Sequence, residues 1–221
     1  MKITQSGWEI LTPISKDGQE ELKAIEQAAR TCYKSEANPD DEMSAAKLVL
    51  RLISNGHEAM LEHRSLSVRF ICDRAVSHEL VRHRMASFAQ ESQRYCNYSR
   101  DKFGNEVTFV QPWWMDEEDD VGYHDWILAC ESAENAYFKL LGYGYPPQKA
   151  RIVLPNCTKT EIVVTANYRE WRHIFRLRTA KDAHPDMQWL MNSLLYEVQK
   201  KIPVIFDDIP VRKMSQIREN A

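Results

Sequence analysis

The sequence predicts an α+β fold. Apolar positions recur at helical spacing in several separated stretches, and four segments show the alternation or β-branched content of strands. The two kinds follow one another without a regular strand–helix–strand rhythm, which separates this chain from a doubly wound parallel sheet.

Each element has a local cause. Trp8 to Ile14 reads as a short strand ended by Pro13 and polar residues. From Gln19 to Thr31, Leu22, Ile25, Ala28 and Ala29 repeat at helical spacing, and a second helix covers Met43 to Ser54 with Leu48, Leu52 and Ile53 inward. Asn55-Gly56 stops it, because glycine tolerates the left-handed backbone that ends helices. Ser65 to Cys72 alternates, with Leu66, Val68, Phe70 and Cys72 on one face, so it predicts a half-buried strand. Asp73 is placed to cap a helix from Arg74 carrying Val76, Leu80 and Val81. Glu106 to Gln111 predicts another strand, and the acidic run Asp116 to Asp120 a solvated loop and helix start. Trp126 to Leu141 is amphipathic and stopped by Gly142, and Pro146-Pro147 opens a short helix through Arg151 and Ile152. Thr158 to Ala166 is rich in strand formers. Asn167 with Glu170 forms a capping-box-like pair for a helix reaching Arg178, and Met187 to Lys200 packs through Leu190, Leu194, Leu195 and Val198 before Pro203.

Composition narrows the function. The 221 residues are 43% apolar and 28% charged, enough for a core without staples, and are read as one domain over residues 1–221. No apolar run approaches the ~18 residues of a membrane span, and the N-terminus lacks a secretory plan, so a cytoplasmic protein is expected. Five scattered cysteines without a C-x-x-C pair argue against a disulfide framework or zinc knuckle. A net charge of −3 removes bulk electrostatics as a reason to propose nucleic-acid binding, so an anion site must come from local clustering.

That clustering exists. Arg82 to Tyr95 holds Arg82, Arg84 and Arg94 with His83, Ser87 and Ser92, interleaved with Met85, Ala86, Phe88 and Ala89. Guanidinium forks bind phosphate bidentately and hydroxyls add neutral donors, so the pattern is that of a pocket wall. The competing reading is a helix face on which Arg82 and Arg84 pair with Glu79 and Asp73. A second cluster runs from Asn167 to Arg178; Trp171, Ile174, Phe175 and Arg178 share one side, Arg169 and His173 another. Arg178 near an apolar face needs an anionic or multiply hydrogen-bonding partner, and the plain alternative is an ion pair with Asp182 or Glu170. The segment Gly56-His57-Glu58 to Glu62-His63 has its histidines six apart, whereas a zinc protease needs them four apart on one helix, so no metal site is expected. There is no P-loop, no G-x-G-x-x-G and no nucleophile elbow, and no cysteine sits in a catalytic motif. Chemistry here would rest on binding and a cofactor.

Arg82-His83-Arg84, with Ser87, Ser92 and Arg94 following, resembles the signature of flavin-dependent thymidylate synthases, R-H-R-x-x-S-x-N-E-x-S-x-R, with Ala89 for Asn and Gln90 for Glu. Four further stretches resemble the family in order: Gly56-His57-Glu58 with Glu62-His63, Arg151 to Pro155, Asn167 to Arg178, and Ala183-His184-Pro185. The resemblance implies a mixed α/β core with a mainly antiparallel sheet flanked by helices. It implies methylation of dUMP to dTMP with methylenetetrahydrofolate as carbon donor, FAD as redox cofactor and NADPH as reductant, in a homotetramer with sites between subunits. Carried over residue by residue, it gives flavin contacts to Ala59, Arg82, His83, Arg84, Gln90, Asn167, Tyr168, Arg169 and His173. It gives dUMP contacts to Glu79, Leu80, Val81, Arg82, Gln90, Glu91, Ser92, Gln93, Arg94, Arg151 and Arg178, with Arg178 as the catalytic cation beside the uracil ring.

Two other classes compete. A binder of nucleotides or single-stranded nucleic acid would use the same arginines with Phe88 and Tyr95 for stacking, but it lacks a broad basic surface. A folate-independent flavoprotein reductase would share the flavin but show no NADPH oxidation stimulated by dUMP.

Overall fold

The computed structural model describes residues 1–37, 40–115, 121–213, 215 and 217. In order, the elements are β1 (Lys2–Thr4), β2 (Gly7–Ile10), α1 (Gln19–Tyr33), α2 (Ser44–Ser54), a 3₁₀ turn Glu58–His63, β3 (Ser65–Asp73), α3 (Arg74–Leu80), β4 (Ser87–Gln90), β5 (Thr108–Val110), α4 (Val121–Gly142), α5 (Pro147–Ala150), a 3₁₀ turn Arg151–Val153, β6 (Lys159–Asn167), α6 (Tyr168–Arg178) and α7 (Pro185–Lys201). A four-stranded antiparallel sheet has the order β2-β3-β6-β4. A separate two-stranded sheet joins β1 to β5 and is parallel, with Lys2 opposite Thr108 and Thr4 opposite Val110. The fold is thus the mixed, mainly antiparallel α+β architecture that the sequence predicts. The predicted acidic run 116–120 lies outside the described residues.

The chain divides into two compact units. The first comprises residues 1–8, 69–82 and 88–163; the second comprises 9–68, 83–87 and 164–221.

In the first unit, Asp73 caps α3 by accepting a hydrogen bond from the Val76 amide at 2.7 Å, and Val76 and Leu80 are buried beneath it. Val81 lies past the helix end and is exposed. Tyr98, Val107, Phe109, Cys130, Tyr137 and Ala150 form a core packed by Ile3, Trp126 and Cys157 among others.

In the second unit, the alternation of β3 is realised in Leu66 and Val68, both fully buried, as are Phe70 and Cys72 where the same strand continues in the first. Leu22, Ile25 and Ala29 bury the inner face of α1. On α2 the deepest positions are Ala45, Ala46 and Val49, while Leu48, Leu52 and Ile53 are only half-buried. Small residues there allow close approach to α1, so the buried stripe is rotated one position from the largest side chains. Gly56 takes φ +72° after the last turn, the left-handed conformation that the sequence assigned to it. Gly18 precedes α1 at φ +63°, where an added Cβ would meet Ile202 at 2.9 Å.

Helix α6 is the centre of this unit. Asn167 caps it by accepting from the Glu170 amide at 2.8 Å. Tyr168, Trp171, Arg172 and Phe175 form its buried stripe at helical spacing, and the Trp171 indole donates to the Leu66 carbonyl at 2.9 Å. Arg172 has no exposed surface, yet it is charged. Its guanidinium donates to Glu58 at 3.1 and 3.2 Å, to both oxygens of Asp208 at 2.6 and 2.7 Å, and to the Ile205 carbonyl. Burial opposes ionisation of Glu58 and Asp208, but hydrogen bonds and charge from Arg172, with a contribution from Arg176, outweigh it. Both carboxyls are held below their ordinary range. The side chains of Glu58 and Asp208 retain 17% and 46% exposure, so water can reach them if the guanidinium is removed. Arg172→Ala is therefore expected to cost about 3 kcal/mol, the low end for breaking a buried pair, by urea unfolding. A loss below about 0.5 kcal/mol would show that the network contributes nothing net.

Candidate functional site

The arginines of this chain fall into two classes. Arg30, Arg64, Arg169, Arg172 and Arg176 each have a carboxylate partner. Among the described residues Arg82, Arg84, Arg94 and Arg151 have none, which removes the pairing of Arg82 and Arg84 with Glu79 and Asp73. An arginine with an intramolecular partner spends its donors on structure; one without can spend them on a ligand anion. These four are residues that the resemblance placed against ligands; among the described residues Arg51, Arg74 and Arg100 lack a carboxylate partner as well.

The first unit carries Glu79, Leu80, Val81, Arg82, Gln90 to Arg94, and Arg151. Leu80 is a core residue, so only its backbone is open to a ligand. Arg82 stands in the turn after α3 and is exposed. Both donors of the Gln90 amide are taken, by Ser77 Oγ at 3.0 Å and Thr160 Oγ1 at 3.2 Å, leaving its carbonyl oxygen as the acceptor. Glu91 accepts from the Tyr98 hydroxyl at 2.9 Å and from Lys159 Nζ at 3.1 Å, on the wall of an open cleft of about 710 Å³ that Ala89, Arg69 and Glu161 also line. Residues 92–96 form a turn in which Ser92 Oγ faces the Arg94 amide at 3.4 Å, and the Tyr95 and Cys96 amides donate to the Ser92 carbonyl. Arg94 projects from this turn into solvent, over the Tyr95 ring.

Gln93 belongs to the same turn and is 8% exposed. Among the described residues its Nε2 is the one buried side-chain polar atom without a hydrogen-bond partner. Leaving a buried donor unmade costs about 1–3 kcal/mol, so it is an observation that asks for an acceptor.

The second unit carries Ala59, His83, Arg84, Asn167, Tyr168, Arg169, His173 and Arg178. Ala59 is exposed on the 3₁₀ turn 58–63, whose Glu58 is bound to Arg172 and Arg176 and whose Glu62 is bound to Arg169 at 2.6 Å. The histidine–glutamate segment 57–63 thus spends its carboxylates on arginines. Tyr168 is buried against Phe206, and the Asn167 side chain is used in capping, so both offer a ligand mainly backbone. Arg84 is exposed, beside Met85 at 74% exposure.

His83 and Arg178 meet. Arg178 is half-buried, and its Nε donates to Nε2 of His83 at 3.0 Å, in place of the pairing with Asp182 or Glu170. Burial first, then the positive charge of Arg178 and the neighbouring His173, push the imidazole pKa down to about 4. The His173 ring stands edge-on at 5.8 Å, and Glu170 Oε1 lies 3.6 Å from His83 Nδ1. One ligand atom each from His83, Glu170 and His173 lie within 4.8 Å of one another, a spacing that can close on a metal ion. A permanent guanidinium 3.0 Å from one of these rings opposes a cation there and favours reading the cluster as a relay built on the Arg178–His83 hydrogen bond, with Glu170 facing the other ring nitrogen beyond hydrogen-bond distance.

Sequence reasoning gave Arg172 no role and offered Glu170 for capping or as an ion-pair partner of Arg178, not as a neighbour of His83. The signal for Arg172 was present: a charged residue on the stripe 168, 171, 172, 175. Nothing local marks Glu170, because its neighbour His83 is far away in sequence.

The fold is α+β, and Arg82, Arg84, Arg94 and Arg151 carry no carboxylate partner among the described residues. The profile of the family described as thymidylate synthase complementing protein matches residues 14–204. A flavin-dependent thymidylate synthase of Corynebacterium aurimucosum is 33% identical over 97% of this chain and 88% of its own length. That of Geobacter sulfurreducens is 36% identical over 84% and 80%, and that of Mycobacterium tuberculosis 33% over 89% and 83%. Among solved structures, the UMP/dUMP methylase PolB from Streptomyces cacaoi, bound with 5-Br dUMP, superposes with a TM-score of 0.75 at 24% identity, over 94% of this chain and 96% of that one. The chain belongs to the flavin-dependent thymidylate synthase family. Among the described residues no helix is long and apolar enough to cross a membrane.

The depressed His83 pKa has a consequence for stability. The native state disfavours the proton relative to an ordinary value of 6.5, so the stabilisation is complete above pH 6.5 and is lost as pH falls towards 4. The unfolding free energy should fall by about 3 kcal/mol across that window from this group. His83→Gln should flatten the slope there. An unchanged slope in the variant would show that His83 is not the titrating group.

Proposed function

We propose that this protein methylates dUMP to dTMP, with methylenetetrahydrofolate as carbon donor, FAD as redox cofactor and NADPH as reductant. The observation that carries the reading is that Arg82, Arg84, Arg94 and Arg151, all in motifs that resemble the family's, have no carboxylate partner among the described residues.

The roles follow from donor chemistry. Arg94 and Arg151, with Ser92, hold the nucleotide phosphate, and their open guanidiniums are free to do so. The orphaned Gln93 Nε2 donates to an acceptor of the bound nucleotide and so recovers the hydrogen bond that it lacks. Glu79, Leu80, Val81, Arg82, Gln90 and Glu91 complete the nucleotide contacts, Leu80 through its backbone and Gln90 through its carbonyl oxygen. Arg178 faces the uracil carbonyls. A uracil ring is a weak carbon nucleophile until negative charge builds on it, and a fixed guanidinium stabilises that charge as an oxyanion hole does. Half-burial strengthens the effect, and the His83 imidazole, neutral at pH 7, accepts from the guanidinium without adding a charge of its own.

FAD fits the donor set of the second unit. Arg84 and His173 are solvent-open donors suited to a diphosphate or ring oxygen, Arg169 holds a surface pair that an anionic ligand can displace, and the small Ala59 leaves room beside them. These residues, with His83, Asn167 and Tyr168, would hold it. Bound FAD supplies the electron transfer that no side chain of the chain can perform. No protein nucleophile is called for: Cys72 is fully buried and burial pushes its thiol well above the ordinary range. The homotetramer with sites between subunits is part of the same reading.

The direct test mixes the protein with FAD, NADPH, methylenetetrahydrofolate and dUMP and measures dTMP. Product formation, with NADPH oxidation stimulated by dUMP, is expected; a colourless protein that FAD does not reconstitute would refute the reading. Arg178→Ala should lower single-turnover dTMP formation by about 100-fold while flavin content stays within about twofold. Arg151→Ala should instead raise the KM for dUMP by about 10-fold, the effect of losing one charged hydrogen bond. An Arg151 variant with an unaltered KM would remove that residue from the phosphate site.

A further inference from the structure

The relay at His83 contains a residue to which neither the sequence nor the family resemblance gave a part in the chemistry. We infer that Glu170 is a positioning residue that sets the tautomer of His83 and, through it, the orientation of the Arg178 guanidinium.

Two elements meet at this point, both within the second unit. The turn after residue 82 supplies the imidazole, the first turn of α6 supplies Glu170, and its last turn supplies Arg178. The helix places these two eight residues apart, and the His173 ring from the turn between them stands edge-on to that of His83 at 5.8 Å. The two nitrogens of His83 face different partners. Nε2 faces the Arg178 Nε–H at 3.0 Å, and Nδ1 faces Glu170 Oε1 at 3.6 Å.

Proton bookkeeping then fixes the arrangement. An arginine Nε always carries its hydrogen, so Nε2 of His83 must present a lone pair to accept it. A neutral imidazole has one N–H, which therefore sits on Nδ1. A lone pair on Nδ1 would face a carboxylate and be repelled; an N–H there is attracted. Glu170 thus opposes the alternative tautomer, in which Nε2–H would point at Arg178 and break the contact. The His83 side chain is only 4% exposed and that of Glu170 13%, so water is poorly placed to substitute for either. Side-chain capping of α6 is carried by Asn167, so the Glu170 carboxylate is not needed for that hydrogen bond.

The inference rests on the proposed role of Arg178 at the base, and the experiment separates the two. Nitrogen-15 histidine spectra of the FAD-loaded protein, with the His83 signals assigned by their loss in His83→Gln, report the tautomer without reference to activity. Wild-type protein should show His83 protonated on Nδ1, and Glu170→Ala should shift it towards the Nε2-protonated form. In the same variant, single-turnover dTMP formation should slow by about 10-fold, while the KM for dUMP and the flavin content stay within about twofold. Glu170→Gln keeps an oxygen that accepts from Nδ1–H, so it should recover the tautomer and most of the rate. If Glu170→Ala keeps the wild-type tautomer or turns over at the wild-type rate, the inference is overturned. If Glu170→Gln is as slow as Glu170→Ala and both lose flavin, the residue is merely structural and the inference is again wrong. Arg178→Ala is run beside them. A fully active Arg178 variant overturns the role at the base, whereas a slow one beside a normal Glu170→Ala overturns only the positioning.

Discussion

A buried guanidinium has to be satisfied, and much of the second unit is arranged around that requirement. Arg172 sits on the apolar stripe of α6 with no exposed surface, among Tyr168, Trp171 and Phe175. An unpaired charge there would be prohibitive. It is met by Glu58 from the 3₁₀ turn and by Asp208 and the Ile205 carbonyl from the segment after α7. One side chain therefore fixes three parts of the chain that local forces leave independent. The turn carrying Ala59 is held against the helix carrying His173 and Arg178 as a result, and the candidate flavin-contacting residues inherit their spacing from a core interaction.

The same physics sorts the remaining cations. Arg176 joins the network around Glu58 and Asp208, and Arg169 takes Glu62. Arg82, Arg84, Arg94 and Arg151 are among the described arginines without a carboxylate partner, and they stand on turns or short helical ends. Turns suit ligand contact because their backbone amides and side chains face outward while the flanking elements remain rigid. The 92–96 turn pairs the exposed Arg94 with the buried, unsatisfied Gln93.

His83 shows how burial serves chemistry without metal-like charge. Desolvation and two neighbouring groups keep the ring neutral near pH 7, so it accepts from Arg178 and does not compete with it. A protonated ring in that place would add a second cation and lose the acceptor. In the proposed reaction the neutral ring would leave Arg178 to act on the uracil without a second cation beside it.

The sequence by itself determined whatever depends on contacts within a few residues. The alternation of Leu66, Val68, Phe70 and Cys72 put one face of β3 in the core, and the caps Asp73 and Asn167 set the starts of α3 and α6. Gly56 ended α2, and the motif residues pointed to an anionic ligand before any coordinate did. The tertiary structure alone decided partners. Arg172 and Glu58 are 114 residues apart, Arg172 and Asp208 are 36, and His83 and Arg178 are 95. Helical spacing marked Arg178 as a residue in need of a partner, but offered the nearby Asp182 or Glu170 because sequence proximity was the only distance available. Caps and periodicities are local backbone geometry and can be read from spacing, whereas which carboxylate reaches which guanidinium depends on how distant elements pack, and that is fixed only when the core closes.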